Sequence, residues 1–235
     1  MTINETEKEF RFLDILTGLF VAVLVLSPIA SSKLFTIGPL TLPGGVILFP
    51  IVFIFNDILT EVYGFARSRR VIWTGLFAQA LAAGTLLLVG KLPPASFWPH
   101  QAAYDAILGF APRIAIGSVI SYFCGEFANS WVLSKMKYVA NGERGLKQSW
   151  RFVASTLVGE GVDTIIVWTI AFAGVLDAAN FFRTALTLYV VKVVYEIVAL
   201  PLSIPFSNWV KKLEHVDTID RPESTNYNPF AVLPK

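Results

Sequence analysis

Charge is what this sequence has least of. Of its 235 residues only 15% are Asp, Glu, Lys or Arg, against 54% that are hydrophobic. A water-soluble domain carries about 25% charged residues, so a soluble globular protein is excluded; the mean hydropathy of +0.61 belongs to an integral membrane protein. Cysteine is nearly missing. Cys124 stands alone, which excludes an internal disulfide and argues against a thiolate metal site. Histidine is limited to His100 and His215, both outside the apolar stretches, which argues against a metal-ion carrier; no metal and no cofactor is expected. The opening run MTINETEKEF is acidic and polar, and no small-residue cleavage site follows the first apolar stretch, so a cleaved signal peptide is not expected.

Long apolar runs are what the sequence does have. About 20 residues span the hydrocarbon core as a helix, and stretches near 13–32, 44–64, 71–90, 114–134, 152–174 and 184–208 qualify. The expected fold is an all-α membrane protein with six transmembrane helices, one transporter domain over 1–212, and a polar, extended tail over 213–235. Lysine and arginine set the orientation. With alternating loops, 14 of them fall on the side of both termini, and only Lys33, Lys91, Arg113 and Arg183 fall on the other. Both termini are therefore expected to be cytoplasmic.

Several local features follow from residue chemistry. Ser27-Pro28 and the small run Ala30-Ser31-Ser32 suggest a kink and close packing in the first helix, and Pro50 is read as lying inside the second. The third stretch has no charge from Val71 onward and only Gln79 as a strongly polar group, so packing or lipid contact is expected of it. The 91–113 segment, rich in proline and aromatics with a short amphipathic run at 102–110, reads first as an interfacial anchor and second as a lid. The basic segment 135–151 reads as a hinge loop between two halves, although no sequence repeat relates them.

The exceptions to apolarity carry the functional signal. In TLVGEGVDTIIVW, Glu160 and Asp163 lie three residues apart inside an apolar stretch. A charge at bilayer depth costs at least ~2.5–3.5 kcal/mol and marks a functional candidate. The second stretch adds Asn56, Asp57 and Glu61, the last being equally able to pair with Arg67. In the fourth, Tyr122, Glu126, Asn129 and Ser130 share one helical face. The sixth brings Tyr189, Lys192, Tyr195 and Glu196, and pairing of Lys192 with Glu196 four residues on is the expected way to bury a lysine. Asp57, Glu61, Glu126, Glu160, Asp163 and Glu196 thus face one interior lysine. Such a set suits a cavity for a cationic or donor-rich planar solute, and equally suits proton coupling. An intramembrane aspartyl protease would also place acids on different helices. Its Tyr-Asp and Gly-x-Gly-Asp signatures are absent, Asn56-Asp57 and Gly159-Glu160-Gly161-Val162-Asp163 standing there instead, so no enzyme is expected.

The runs FNDILTEVYG (55–64), GEFANSWVLSKMK (125–137), STLVGEGVDTIIVW (155–168) and TNYNPF (225–230), in that order, resemble the queuosine precursor transporter family, also called vitamin-uptake-transporter-like. The resemblance implies a multi-pass protein of the bacterial inner membrane. Such a protein imports 7-cyano-7-deazaguanine or 7-aminomethyl-7-deazaguanine for tRNA modification, working in the lipid bilayer without direct contact with nucleic acid. The family's acidic motifs fall on Asp57, Glu61, Glu126, Asn129, Glu160 and Asp163. The expected substrate-binding set is Glu160, Asp163, Asn129, Glu126, Asp57, Tyr122, Trp131, Lys192 and Glu196. One of Glu160 and Asp163 would read the guanine edge, Asn129 its carbonyl, and Glu126 or Asp57 the 7-substituent, with stacking by Tyr122, Phe127, Trp131 or Trp168. The runner-up is a substrate-binding subunit of an energy-coupled vitamin importer. A bundle this small is expected to form a homodimer.

Overall fold

The computed structural model describes residues 10–38, 40–109, 112–172 and 178–231. Lys8 and Lys235, both used in the charge count, lie outside these residues, as do Pro39 and the side chain of Arg113. The chain runs through α1 (Leu13–Ser31), a hairpin of β1 (Leu34–Ile37) and β2 (Leu40–Pro43), and a 3-10 turn over Gly44–Ile47. Then come α2 (Phe49–Tyr63), α3 (Phe65–Gly90), the short α4 (Gln101–Leu108), α5 (Pro112–Val139), α6 (Leu146–Phe172) and α7 (Ala178–Glu214). Five segments among the described residues are long and apolar enough to cross a membrane: α1, Gly44–Tyr63, α3, Leu146–Ile170 and Phe181–Glu214.

The middle of the bundle is α2. From Asn56 to Phe65 every side chain is buried, polar and apolar alike, because α1, α3, α5 and α7 all pack around it. Pro50 lies in its first turn, not in its interior, where a missing N–H removes no helical hydrogen bond. The hairpin before it departs from the all-helical expectation. Its strands pair antiparallel, with Leu34 opposite Pro43 and Ile37 opposite Leu40. Gly38 at φ +57 makes the turn that a side chain would resist.

The closest helix pair is α5 with α6. A methyl on Gly159 would stand 2.7 Å from Asn129 Cβ and 3.0 Å from the Gly125 carbonyl oxygen; one on Gly125 would stand 2.9 Å from Asp163 Cβ. Two glycines facing each other let these backbones touch, seating Asn129 against Gly159 and Asp163 against Gly125.

The hinge expected over 135–151 is much shorter. Helix α5 continues to Val139 and α6 starts at Leu146, with Asn141 and Gly142 at positive φ turning the chain between them. Lys137 and Arg151, read as loop charges, are buried helix residues, and carboxylates from other elements allow this. The tail packs against the bundle. Phe12 and Glu214 meet at the same end of the bundle, the Glu214 carboxylate accepting the backbone N–H of Phe12 at 2.7 Å and of Arg11 at 3.0 Å. From there residues 215–230 run back across the helix ends. Asp220 accepts the backbone N–H of Phe65 at 2.8 Å and so caps α3, while Arg69 donates to the carbonyls of Asn226 and Asn228 and Trp73 to that of Pro229.

Candidate functional site

Lys192, projecting from α7, reaches α6. Its ammonium lies 2.9 Å from Glu160 Oε2 and 2.9 Å from Asp163 Oδ2, and 3.8 Å from the centre of the Phe49 ring. The expected partner Glu196 is not among its contacts. That pairing is corrected for a physical reason: two carboxylates on the facing helix, three residues apart, neutralise a partly buried ammonium better than one acid of its own helix. Glu196 takes the hydroxyl of Thr156 at 2.5 Å and faces Asp57 of α2.

Behind this bridge lies a second tier of acceptors. Asp57 Oδ1 receives Asn129 Nδ2 at 2.7 Å and Ser155 Oγ at 3.3 Å. Glu126 is fully buried, and neither of its oxygens has a hydrogen-bond partner. Asn129 Oδ1, Glu160 Oε1, Asp57 Oδ2 and Glu196 Oε2 are likewise buried without a donor. Nearby Asn56 serves a different purpose. Its amide binds the Glu126 carbonyl at 3.1 Å and Ser68 and Ser130 at 2.7 Å and 3.0 Å, tying α2, α3 and α5 together. So Ser130, on the stripe with Glu126, is part of helix packing.

Glu61 belongs to neither tier. It is held not by Arg67 but by Arg151 of α6, Nε to Oε2 at 2.9 Å, and by Lys211 of α7 at 2.6 Å. Arg67 instead lies over the ring of Phe10 and binds the Tyr63 carbonyl. Lys211 continues to Asp217 at 2.9 Å, and Lys137 of α5 joins Asp217 to the Glu61 carbonyl. Gln148 and Asn208 exchange amide hydrogen bonds alongside. This network joins α2, α5, α6, α7 and the tail, and closes the end of the bundle where the termini lie. Burial pushes the Asp217 carboxyl up, but the ammonium groups of Lys137 and Lys211 outweigh it and hold Asp217 below its ordinary value.

On the other side of the Lys192 bridge is a cavity of about 530 Å³, the size of a small-molecule pocket. It extends from Ala106 and Ile107 of α4 and the ends of α1 and α3 down to Asp163 and Lys192. Its wall includes Phe49, Gln79 and Tyr122, the last donating its hydroxyl to the Ile72 carbonyl at 3.0 Å. Asp57, Glu126, Glu160 and Glu196 do not line it; they lie beyond its floor. The 91–113 segment therefore contributes α4 to the cavity wall, while Tyr104 and Gln101 fasten α4 to the end of α3.

Eight of the nine expected site residues gather on α2, α5, α6 and α7 around this floor. Trp131 does not. It is half exposed, beside a shallow surface hollow shared with Phe65, Phe127 and Tyr227. Phe127 packs edge-on against Phe123 and Phe65, and Trp168 against Phe181. Among the described residues no group of three or more His, Cys, Asp and Glu is placed to hold a metal ion.

A family profile described as "Putative vitamin uptake transporter" matches residues 43–206, the stretch that holds all nine expected site residues. The chain belongs to that family. Its similar relatives include a "Probable queuosine precursor transporter" of Bacillus subtilis, 30% identical over 165 residues that cover 69% of this chain and 70% of the relative. The "Queuosine precursor transporter" of Escherichia coli K12 is 27% identical over 161 residues, covering 66% and 67%. A "Probable queuosine precursor transporter" of Haemophilus influenzae is 23% identical over 129 residues, covering 54% and 51%. No solved structure gives a significant match.

Gln79 and Phe49 are cavity residues outside the expected site set. Packing or lipid contact is the expectation for Gln79, yet it is the polar group that α3 turns into the cavity, with its Oε1 unpartnered. Its signal was present: a lone amide in an uncharged helix is costly unless something meets it. Phe49, directly before Pro50, gave none, because one phenylalanine among 19 carries no pattern.

Proposed function

We propose that this chain imports queuosine precursors across the bacterial inner membrane. The finer expectation names 7-cyano-7-deazaguanine and 7-aminomethyl-7-deazaguanine as its substrates. The observation that carries this reading is the set of buried acceptors without donors, Glu126 with both oxygens, Asn129 Oδ1 and Glu160 Oε1, directly behind the floor of a cavity. An unpaired buried carboxylate is costly, so such a set favours a solute that arrives with N–H groups. A deazaguanine presents a ring N–H and an amino group on one edge, and a carboxylate accepts both together. The names of the relatives support the same solute class.

The solute first meets the cavity wall, where Gln79 offers an amide and Phe49 and Tyr122 offer rings. Lys192 holds Asp163 and Glu160, as an internal stand-in for a cationic or donor group. Its displacement opens the way to Glu160 and Glu126. Asn129 takes a donor, not a carbonyl: its Nδ2 is committed to Asp57 and its free atom is the oxygen.

Helix α5 supplies the sixth span, its 28 residues being about 42 Å long at 1.5 Å per residue. The basic end, which carries both termini and the 213–235 tail, faces the cytoplasm under the positive-inside rule. The homodimer remains part of the proposal, and cross-linking in native membranes tests it. The function itself is tested by uptake of labelled precursor into cells unable to make it. Expression of the wild-type chain restores uptake, and Glu160→Gln or Glu126→Gln reduces it. Absence of uptake with the wild type, or full uptake by both variants, contradicts the proposal.

A further inference from the structure

Two carboxyl groups from different helices face each other here with no cation between them. Asp57 of α2 is fully buried and Glu196 of α7 nearly so, and their side chains stand within hydrogen-bonding reach. Each has one oxygen that receives no donor, Asp57 Oδ2 and Glu196 Oε2. Each has its other oxygen fixed by consecutive residues of α6, Ser155 to Asp57 Oδ1 at 3.3 Å and Thr156 to Glu196 Oε1 at 2.5 Å. Three helices thus hold the pair in register.

The surrounding charges do not resolve it. On α5, Glu126 faces both groups; on α6, Glu160 adds a further acid. Lys192, one turn along α7 from Glu196, is committed to Glu160 and Asp163. Glu61, one turn along α2 from Asp57, is committed to Arg151 and Lys211. Asp14 lies in the first turn of α1, and Arg67, Arg69 and Arg70 lie in the first two turns of α3, toward the end of the bundle that carries the Glu61 network. Two adjacent carboxylates without a cation repel, whereas one proton between them turns the repulsion into an O–H···O⁻ hydrogen bond.

We infer that Asp57 and Glu196 form a proton-binding site that couples solute movement to proton movement. The pair takes up one proton from one side of the membrane and releases it to the other when α2 and α7 separate, with no covalent bond to the solute made or broken. Asn129 links this site to the solute: its Nδ2 holds Asp57 while its Oδ1 is the free acceptor proposed for the solute. Thr156, which holds Glu196, lies one turn from Glu160 on α6. The inference rests on the transport reading above.

The test uses the full chain in liposomes, with 7-cyano-7-deazaguanine as a neutral probe and a trapped pH dye. First, exchange of labelled for unlabelled probe at equal pH establishes transport, and its absence in the wild type overturns the function reading itself. With exchange present, an inward proton gradient raises initial wild-type uptake at least about fivefold, and uptake acidifies the lumen. Uptake indifferent to the gradient overturns the coupling. In Asp57→Asn and Glu196→Gln the ratio of uptake with and without the gradient becomes unity, whatever the absolute rates. A preserved ratio in both overturns the assignment. Infrared difference spectra in detergent read the carboxylic-acid carbonyl band without needing transport. That band is lost in both variants, and its persistence in both also overturns the assignment.

Discussion

Lys192 of α7 binds Asp163 of α6 at 2.9 Å and passes over Glu196, an acid on its own helix. The ion pair therefore bridges α6 and α7, and it forms the boundary between the cavity and the buried acceptors. Removing the ammonium leaves Glu160 and Asp163 unpaired. Breaking a buried pair from one side costs about 3–5 kcal/mol. Lys192→Met is expected to lower the melting temperature in detergent, and adding Asp163→Asn to recover part of the loss. A single variant as stable as wild type would show that the bridge carries no weight.

Glu61 is the hub of the closed end, between Arg151 and Lys211. Glu61→Gln leaves two buried cations facing a neutral amide, again at about 3–5 kcal/mol. The expected result is poor yield or a sharply lower melting temperature. Arg67→Ala, which removes the contact with Phe10 and the bond to the Tyr63 carbonyl, is expected to cost about 1 kcal/mol or less. The reverse ranking would restore the pairing of Glu61 with Arg67.

The α5–α6 contact leaves no room for a methyl at Gly159, where it would stand 2.7 Å from Asn129 Cβ. Gly161 has only Tyr189 at 3.8 Å. Gly159→Ala is expected to destabilise by about 1–3 kcal/mol through overpacking and to displace Asn129. Gly161→Ala is expected to be tolerated. Comparing melting temperatures of the two checks the register of the helices.

The docked tail responds to acid. Asp217 is held below its ordinary value by the two lysines that overcome its burial. Its contribution is therefore fully present above that ordinary value and is lost as the pH falls through the lower folded value. Protease sensitivity of the tail is expected to rise at acid pH in the wild type. Asp220→Ala, which uncaps α3 at a cost of about 1 kcal/mol, is expected to raise it already at neutral pH. A tail equally protected in Asp220→Ala would contradict the capping role.

Much of the site could be read from the sequence because acids within apolar stretches have few explanations. Glu160, Asp163, Asp57 and Glu126 declared themselves by position alone. The partners did not, since helical spacing reports neighbours on one helix and says nothing across helices. Spacing along one helix offers Glu196 to Lys192 and makes Arg67 one of two equal options for Glu61, whereas both residues bind across helices. Arg151 and Lys137 looked like loop cations because a basic run reads as solvated. The run TNYNPF was visible as a motif, but its purpose, carbonyls for Arg69 and a ring against Phe65, needs the fold.

On the proposed function, the buried acceptors behind the Lys192 bridge receive the N–H groups of a deazaguanine. Equilibrium binding of labelled 7-aminomethyl-7-deazaguanine to the purified protein tests it most directly. Saturable binding by the wild type, weakened at least about tenfold in Glu126→Gln, one lost charged hydrogen bond being worth about 1.5–3 kcal/mol, is the expected result. Undiminished affinity in Glu126→Gln and Glu160→Gln, or no binding by the wild type, would contradict the account.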